Sequence, residues 1–246
     1  MDDTGLRTVA AVERAMLLLE AFRHGNNGVL SLTDLSEQTG LYKSTVLRLA
    51  ATLEQFGFLV RRTDGAFQVG PTPFYLGAIF QRTIQPPEVI LPVLRELVDE
   101  FGESASFFVD RPQGRVCLYR MDSPHMVRAH LSPGDIVARD RGAGGRMLLA
   151  FREQDNPAYR KLRKTLVVSS TGEIGEDMSA VASVAFDASG VCGALVITGP
   201  DRRFSRPMIR RAERHLLRGA QRITQALGGD ASRYAEALAL LGPEEA

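Results

Sequence analysis

The stretch 31–69 constrains the chain most, because two helical periods, a glycine between them and a tight Asp-Gly turn follow one another without a gap. Ser31-Leu32-Thr33-Asp34 reads as a capping-box variant, with Ser31 as N-cap and Asp34 three residues on. It opens a short helix with Leu32 and Leu35 inward, ended by Gly40. The segment 42–56 repeats the helical period at Val46, Leu49, Leu53 and Phe56, which turns Lys43, Ser44, Thr45, Leu47, Arg48 and Thr52 outward or toward the rim. Two helices joined by a brief glycine-containing turn are the helix-turn-helix arrangement. After Gly57, 58–62 and 66–69 read as strands around Thr63-Asp64-Gly65, a strong hairpin signal. Upstream, Thr8 reads as the cap of a helix with Val9, Val12, Met16, Leu19 and Phe22 inward; Gly25, after His24, reads as its stop. Three helices and a hairpin make a winged helix.

Charge is what gives this motif a partner. The whole chain carries 30 Lys+Arg against 29 Asp+Glu, so no global field advertises a nucleic acid or a membrane. Residues 1–75 hold seven cations against eight anions, yet over 42–62 Lys43, Arg48, Arg61 and Arg62 oppose only Glu54. The cations therefore concentrate on the second helix of the motif and on the hairpin, where phosphates would lie. Hydroxyls at Ser44 and Thr45 suit contacts to phosphate or base edges as a helix enters a major groove. Ser31 and Thr33, at the start of the preceding helix, join the same DNA-facing set. Protein contact by a surface-charged helical domain is the competing reading.

Prolines at 71, 73, 86 and 87 bracket an apolar stretch (Phe74, Tyr75, Leu76, Ala78, Ile79, Phe80) that suits a short linker helix with a surface to bury, for instance against a second subunit. Beyond it, Val89, Ile90, Val93, Leu94, Leu97, Val98 and Phe101 define an amphipathic helix. Strand-like runs follow at 105–110, 115–121, 126–131, 180–186 and 191–198, with Gly114, Gly134 and Gly190 at breaks. Helices are expected at 145–151 and 206–227, the latter with Ile209, Leu216, Ala220, Ile223 and Leu227 facing in. Strands with helices grouped around them argue α+β with one mixed or antiparallel sheet and room for an apolar pocket. The expected division is a winged helix over 1–70, a linker helix over 71–87 and a second domain over 88–246.

The residues Ala15-Met16-Leu17-Leu18-Leu19, the run Ser31 to Leu41, Lys43 to Leu49, Leu53 to Leu59 and Tyr75-Leu76-Gly77 resemble the IclR-type bacterial transcriptional regulators. The likeness extends more loosely through Ala143 to Ala150 and Ala185-Phe186-Asp187. Tyr42 stands where the family often has Pro. The resemblance implies a DNA-binding winged helix, a linker helix used in dimerisation and a C-terminal effector domain of GAF-like shape. It implies dimers or tetramers on a palindromic operator, controlling small-molecule catabolism. Carried over by position, it places Ala143 and Gly144 at the turn bordering the effector pocket, their backbone N–H groups suited to a carboxylate. Met126, Ala129, Val137, Met178, Ala180 and Val196 would line the rest. Arg139-Asp140-Arg141-Gly142 replaces a His-Ala-Thr/Ser run. The apolar lining fits a larger or less polar effector, or none, whereas Arg139 and Arg141 would fit an organic acid or read as solvated loop charges.

Other signals carry less. Arg210, Arg214, Arg218 and Arg222 recur every fourth residue and read as a solvated helical face. Cys117 lies in an apolar alternating run and reads as a buried thiol, although an enzyme using Cys117 is the alternative from another class. Gly142-Ala-Gly-Gly145 lacks the Lys-Ser/Thr of a phosphate loop. No metal set, cofactor motif, export signal or bilayer-length apolar run is evident, and two distant cysteines fit a reducing cytoplasm.

Overall fold

A computed structural model describes residues 8–22, 28–84 and 86–242, which fall into two compact units spanning 1–83 and 84–246. The first begins with α1 (Ala10–Ala21), whose N-cap is Val9 rather than Thr8 and which has no capping side chain. His24 and Gly25 lie outside the described residues. In α1, Phe22 is buried and Leu19 packs against the core, as expected, whereas Val9, Val12 and Met16 are exposed and Leu18 and Ala21 are buried instead. Both stripes have three-and-four spacing, and over the first turns the packing chose the one carrying Leu18.

β1 (Val29–Leu30) leads into α2 (Leu32–Thr39), where the capping box is complete. Ser31 Oγ accepts from the Asp34 N–H at 3.1 Å, and the Asp34 carboxylate accepts from the Ser31 N–H at 2.8 Å. Gly40 closes the helix in the left-handed region. α3 (Lys43–Gln55) buries Val46, Ala50 and Leu53, and Phe56 at its C-cap is 63% exposed instead of facing inward. β2 (Leu59–Arg61) and β3 (Phe67–Val69) form the hairpin, and β1 adds to β3, giving the order β1-β3-β2. Gly65 holds a φ of +84° in the turn, which a side chain would strain. The core gathers Leu18, Leu35, Val46, Leu53, Leu59 and Phe67. α4 (Thr72–Ile84) follows and leaves Phe74, Tyr75, Leu76 and Ile79 exposed.

The second unit starts with α5 (Pro87–Phe101) and is built on β4 (Ser104–Arg111), β5 (Gly114–Met121), β6 (Ile136–Val137), β7 (Val167–Thr171), β8 (Met178–Asp187) and β9 (Gly190–Pro200). These form one sheet in the order β6-β5-β4-β9-β8-β7, antiparallel at every pairing. Its helices are α6 (Gly142–Arg152), α7 (Arg160–Thr165), α8 (Arg206–Ala226) and α9 (Arg233–Leu240). Neighbouring residues of a strand point to opposite faces. Leu195 reaches Gly219 of α8 while Val196 reaches Gly144 of α6, so the sheet is covered on both faces. That explains why β8 is buried along nearly its whole length and reads as a continuous apolar run.

The run 126–131 forms no strand, and the start of the outer edge of β5 is met by β6 and the residues just before it. There the Cys117 N–H donates to the Asp135 carbonyl at 2.9 Å. On α8, Arg210, Arg218 and Arg222 are exposed, as a solvated face requires, Arg222 also meeting Glu96, whereas Arg214 is half-buried and donates to the Gly242 carbonyl at 2.6 Å. Tyr234 anchors α9, its hydroxyl donating to the Val184 carbonyl at 2.7 Å and accepting from Thr224, 2.8 Å away.

Candidate nucleic-acid interface and ligand cavity

In the first unit, burying Val46, Ala50 and Leu53 leaves the opposite side of α3 to solvent. Tyr42, Lys43, Ser44, Leu47, Arg48 and Thr52 are exposed there, and Thr45 is half-buried. Lys43 Nζ donates to Thr33 Oγ1 at 2.9 Å, which joins the outer surfaces of α2 and α3. Ser31 is engaged in its capping box, so its part is to fix the start of α2. Because no side chain caps α3, its first backbone N–H groups are available to an anion at the positive end of the helix. On the hairpin, the Arg61 guanidinium lies 5.6 Å from the Phe67 ring centroid. Arg62 donates to Asp64 at 3.2 Å. The Asp64 carboxyl is held below its ordinary range by the Ala66 N–H first and Arg62 second among the stabilising contacts. Tyr42 is the residue that charge counting overlooked: it stands 85% exposed on the N-cap, and its aromatic identity was the available signal.

In the second unit, a cavity of about 290 Å³ is lined by Ser170, Ala180 and Thr198 in register across the sheet, with Ala129, Ile174 and Met178. It brings together Ala129, Met178 and Ala180 from the sequence-derived set. Met126 is 96% exposed and borders a neighbouring cavity, also of about 290 Å³. Val137 is half-buried in β6, in register with Arg115. Ala143, Gly144 and Val196 are buried together where the first turn of α6 meets β9. The N–H groups of that turn are less open than expected: Ala143 donates to Ser170 Oγ at 2.9 Å and Gly142 to Glu173 Oε2 at 2.9 Å. Arg139 is not a free loop charge either, since its Nε donates to Asp110 at 2.6 Å.

Sequence reasoning missed Arg115, which is 2% exposed. Its guanidinium carbon lies 4.9 Å from the Phe108 ring centroid, and burial draws the group down to about 10, with the Glu173 charge pulling the other way. Its parity with Cys117 along β5 was the signal, because residues two apart in a strand share a face. Cys117 itself is fully buried, with its thiol pushed up to about 12 by burial, and it donates to the Tyr119 carbonyl at 3.6 Å. Among the described residues there is no group of three or more potential metal ligands, and no helix is long and apolar enough to cross a membrane.

A winged helix-turn-helix unit joined to an α+β unit with a ligand-sized cavity defines a class of two-part regulators. The family model for the IclR helix-turn-helix domain matches residues 11–63, so the first unit carries an IclR-type helix-turn-helix, and the chain is similar to regulators of that family. It is 26% identical over 65% of its length to the HTH-type transcriptional regulator KipR of Bacillus subtilis. It is 27% identical over 64% of its length to the transcriptional repressor IclR of Escherichia coli. The matches span 63% and 58% of those two proteins. In fold it is similar to the crystal structure of an IclR homolog from Microbacterium hydrocarbonoxydans complexed with 4-hydroxybenzoate. The TM-score is 0.75 at 19% identity, covering 89% of this chain and 99% of that one.

Proposed function

We propose that the chain is a sequence-specific, cytoplasmic DNA-binding repressor of transcription, controlled by a small-molecule effector. The observation that carries this reading is the exposed face of α3, with Tyr42, Lys43, Ser44 and Arg48 on a helix whose opposite side is locked into the core. α3 enters a major groove, and Arg61 and Arg62 on the hairpin meet the neighbouring backbone. The working division is a DNA-binding part over 1–70, a linker over 71–87 and an effector part over 88–246. Two copies associate through apolar surface. Val12, Met16 and Leu17 of α1 and Phe74, Tyr75 and Leu76 of α4 are all exposed and offer apolar side chains to such a contact. A twofold protein reads a palindromic operator.

The effector site is the cavity of the second unit, with Ala129, Met178 and Ala180 in its lining, Ala143, Gly144 and Val196 behind it, and Met126 and Val137 toward its surroundings. An organic acid is the effector class favoured by the 4-hydroxybenzoate held by the Microbacterium relative. Effector binding alters DNA affinity only through differential affinity for two arrangements of the protein. No observation favours chemistry at Cys117, whose thiol burial keeps protonated. The test is selection of a binding site from random duplexes, followed by Arg48→Ala at matched salt. Losing an arginine that contacts DNA costs about 1–3 kcal/mol, so affinity should fall by roughly 5- to 150-fold with self-association intact. An unchanged binding constant refutes the role of α3.

A further inference from the structure

Arg115 is a buried charge that its surroundings leave unmatched. It is 2% exposed, and its Nε and Nη1 have no hydrogen-bond partner. Buried polar groups are normally paired, so a stranded guanidinium calls for an explanation. Nη1 stands against the first turn of α6, 2.9 Å from where a Cβ on Gly144 would be and 3.2 Å from one on Gly145. These bare glycines leave room for the guanidinium at the positive end of an 11-residue helix, where a cation is disfavoured. Glu173, the acid that reaches this turn, spends its oxygens on the Gly142 N–H at 2.9 Å and on Arg146 at 3.1 Å. Two buried or half-buried arginines and a helix N-terminus thus face one carboxylate.

Ile174 connects this charge to the 290 Å³ cavity. Its side chain lines the cavity, and its Cγ1 comes within 2.8 Å of the Gly142 Cβ position, from which Arg115 Nη2 is 3.5 Å away. We propose that Arg115 selects the charge of the ligand: the cavity takes a small monoanion, a carboxylate on a compact apolar body, whose charged end moves past Ile174 to pair with Arg115. The proposal rests on the effector-site reading of this unit. One surplus positive charge asks for one negative charge. Ala129, Met178 and Ala180 suit the apolar body, and Ser170 and Thr198 suit a polar edge. A neutral isostere would leave the guanidinium donors unpaired and be rejected.

Benzoate against benzamide, and acetate against acetamide, separate charge from shape. Each compound is titrated into the full chain, and the urea unfolding midpoint is read. Benzoate is expected to raise the midpoint, with an apparent affinity about a hundredfold above that of benzamide. Arg115→Met should lose the benzoate response while its ligand-free midpoint stays level or rises, since an unpaired buried charge has been removed. Arg115→Lys should retain a weakened preference for the acid. Equal responses to acid and amide overturn charge selection but leave the cavity as a ligand site. No response to any of the four overturns both. A benzoate response that survives in Arg115→Met, with a lowered ligand-free midpoint, makes Arg115 a structural group and overturns the proposal.

Discussion

Leu35→Ala is the sharpest perturbation of the surface that α3 presents. Leu35 is 0% exposed and is the only fully buried residue of α2, so it is that helix's main apolar anchor, beside the partly buried Leu32, the capping box and the Lys43–Thr33 hydrogen bond. Truncating a buried leucine to alanine costs about 3 kcal/mol, combining lost transfer energy with the cavity left behind. A unit of this size has roughly 4–12 kcal/mol of stability in all, so the loss is a large fraction of it. Native-state hydrogen exchange reads the change locally. At about 1.4 kcal/mol per factor of ten, amides of α2 and α3 should exchange about a hundredfold faster, and those of α8 should not change. DNA affinity should fall with it, although Leu35 contacts no ligand. Acceleration below about tenfold in α2, or an equal acceleration in α8, would refute the anchoring argument.

Further outcomes follow for the second unit and for the interface. Arg203→Met leaves Glu103, which is 1% exposed, without the guanidinium that holds both its oxygens. Stranding a buried carboxylate should cost about 3 kcal/mol in urea unfolding, and a loss under 0.5 kcal/mol on the same scale would show that the pair is not buried in effect. The thiol of Cys117 is raised from 9.0 to about 12, so the folded state favours its protonated form. That stabilisation is complete below pH 9.0 and is lost as pH rises toward about 12, because the unfolded thiol ionises first. Alkylation at pH 8 should accordingly wait on unfolding, and rapid labelling of the native chain would contradict the burial.

Much of the first unit was legible because its signals are local. A capping box needs only Ser31 and Asp34, and a tight hairpin turn needs only Asp64 and Gly65, so neither depends on distant packing. What failed depended on neighbours. α1 carries two apolar stripes with the same spacing, and only contact with α2 and α3 decides that Leu18, not Met16, goes inside. The alternation at 126–131 fits a strand, yet the segment pairs with none. Phe56 continues the helical period yet falls at a C-cap, where the chain turns away. In the candidate site, Ala129, Met178 and Ala180 were found by position, whereas Arg115 was passed over because a charged residue in a strand is ordinarily read as pointing to water. Its burial beside the α6 glycines is visible only when the sheet and helix are packed together.

The central claim is that duplex DNA lies against the outer side of α3. Hydroxyl-radical footprinting of the protein, free and bound to a selected duplex, tests it most directly. The account predicts protection at Tyr42, Lys43 and Leu47, with a second patch on the hairpin near Arg61 and Arg62. Unchanged oxidation at all of these, with protection instead on α5 or α8, would contradict it.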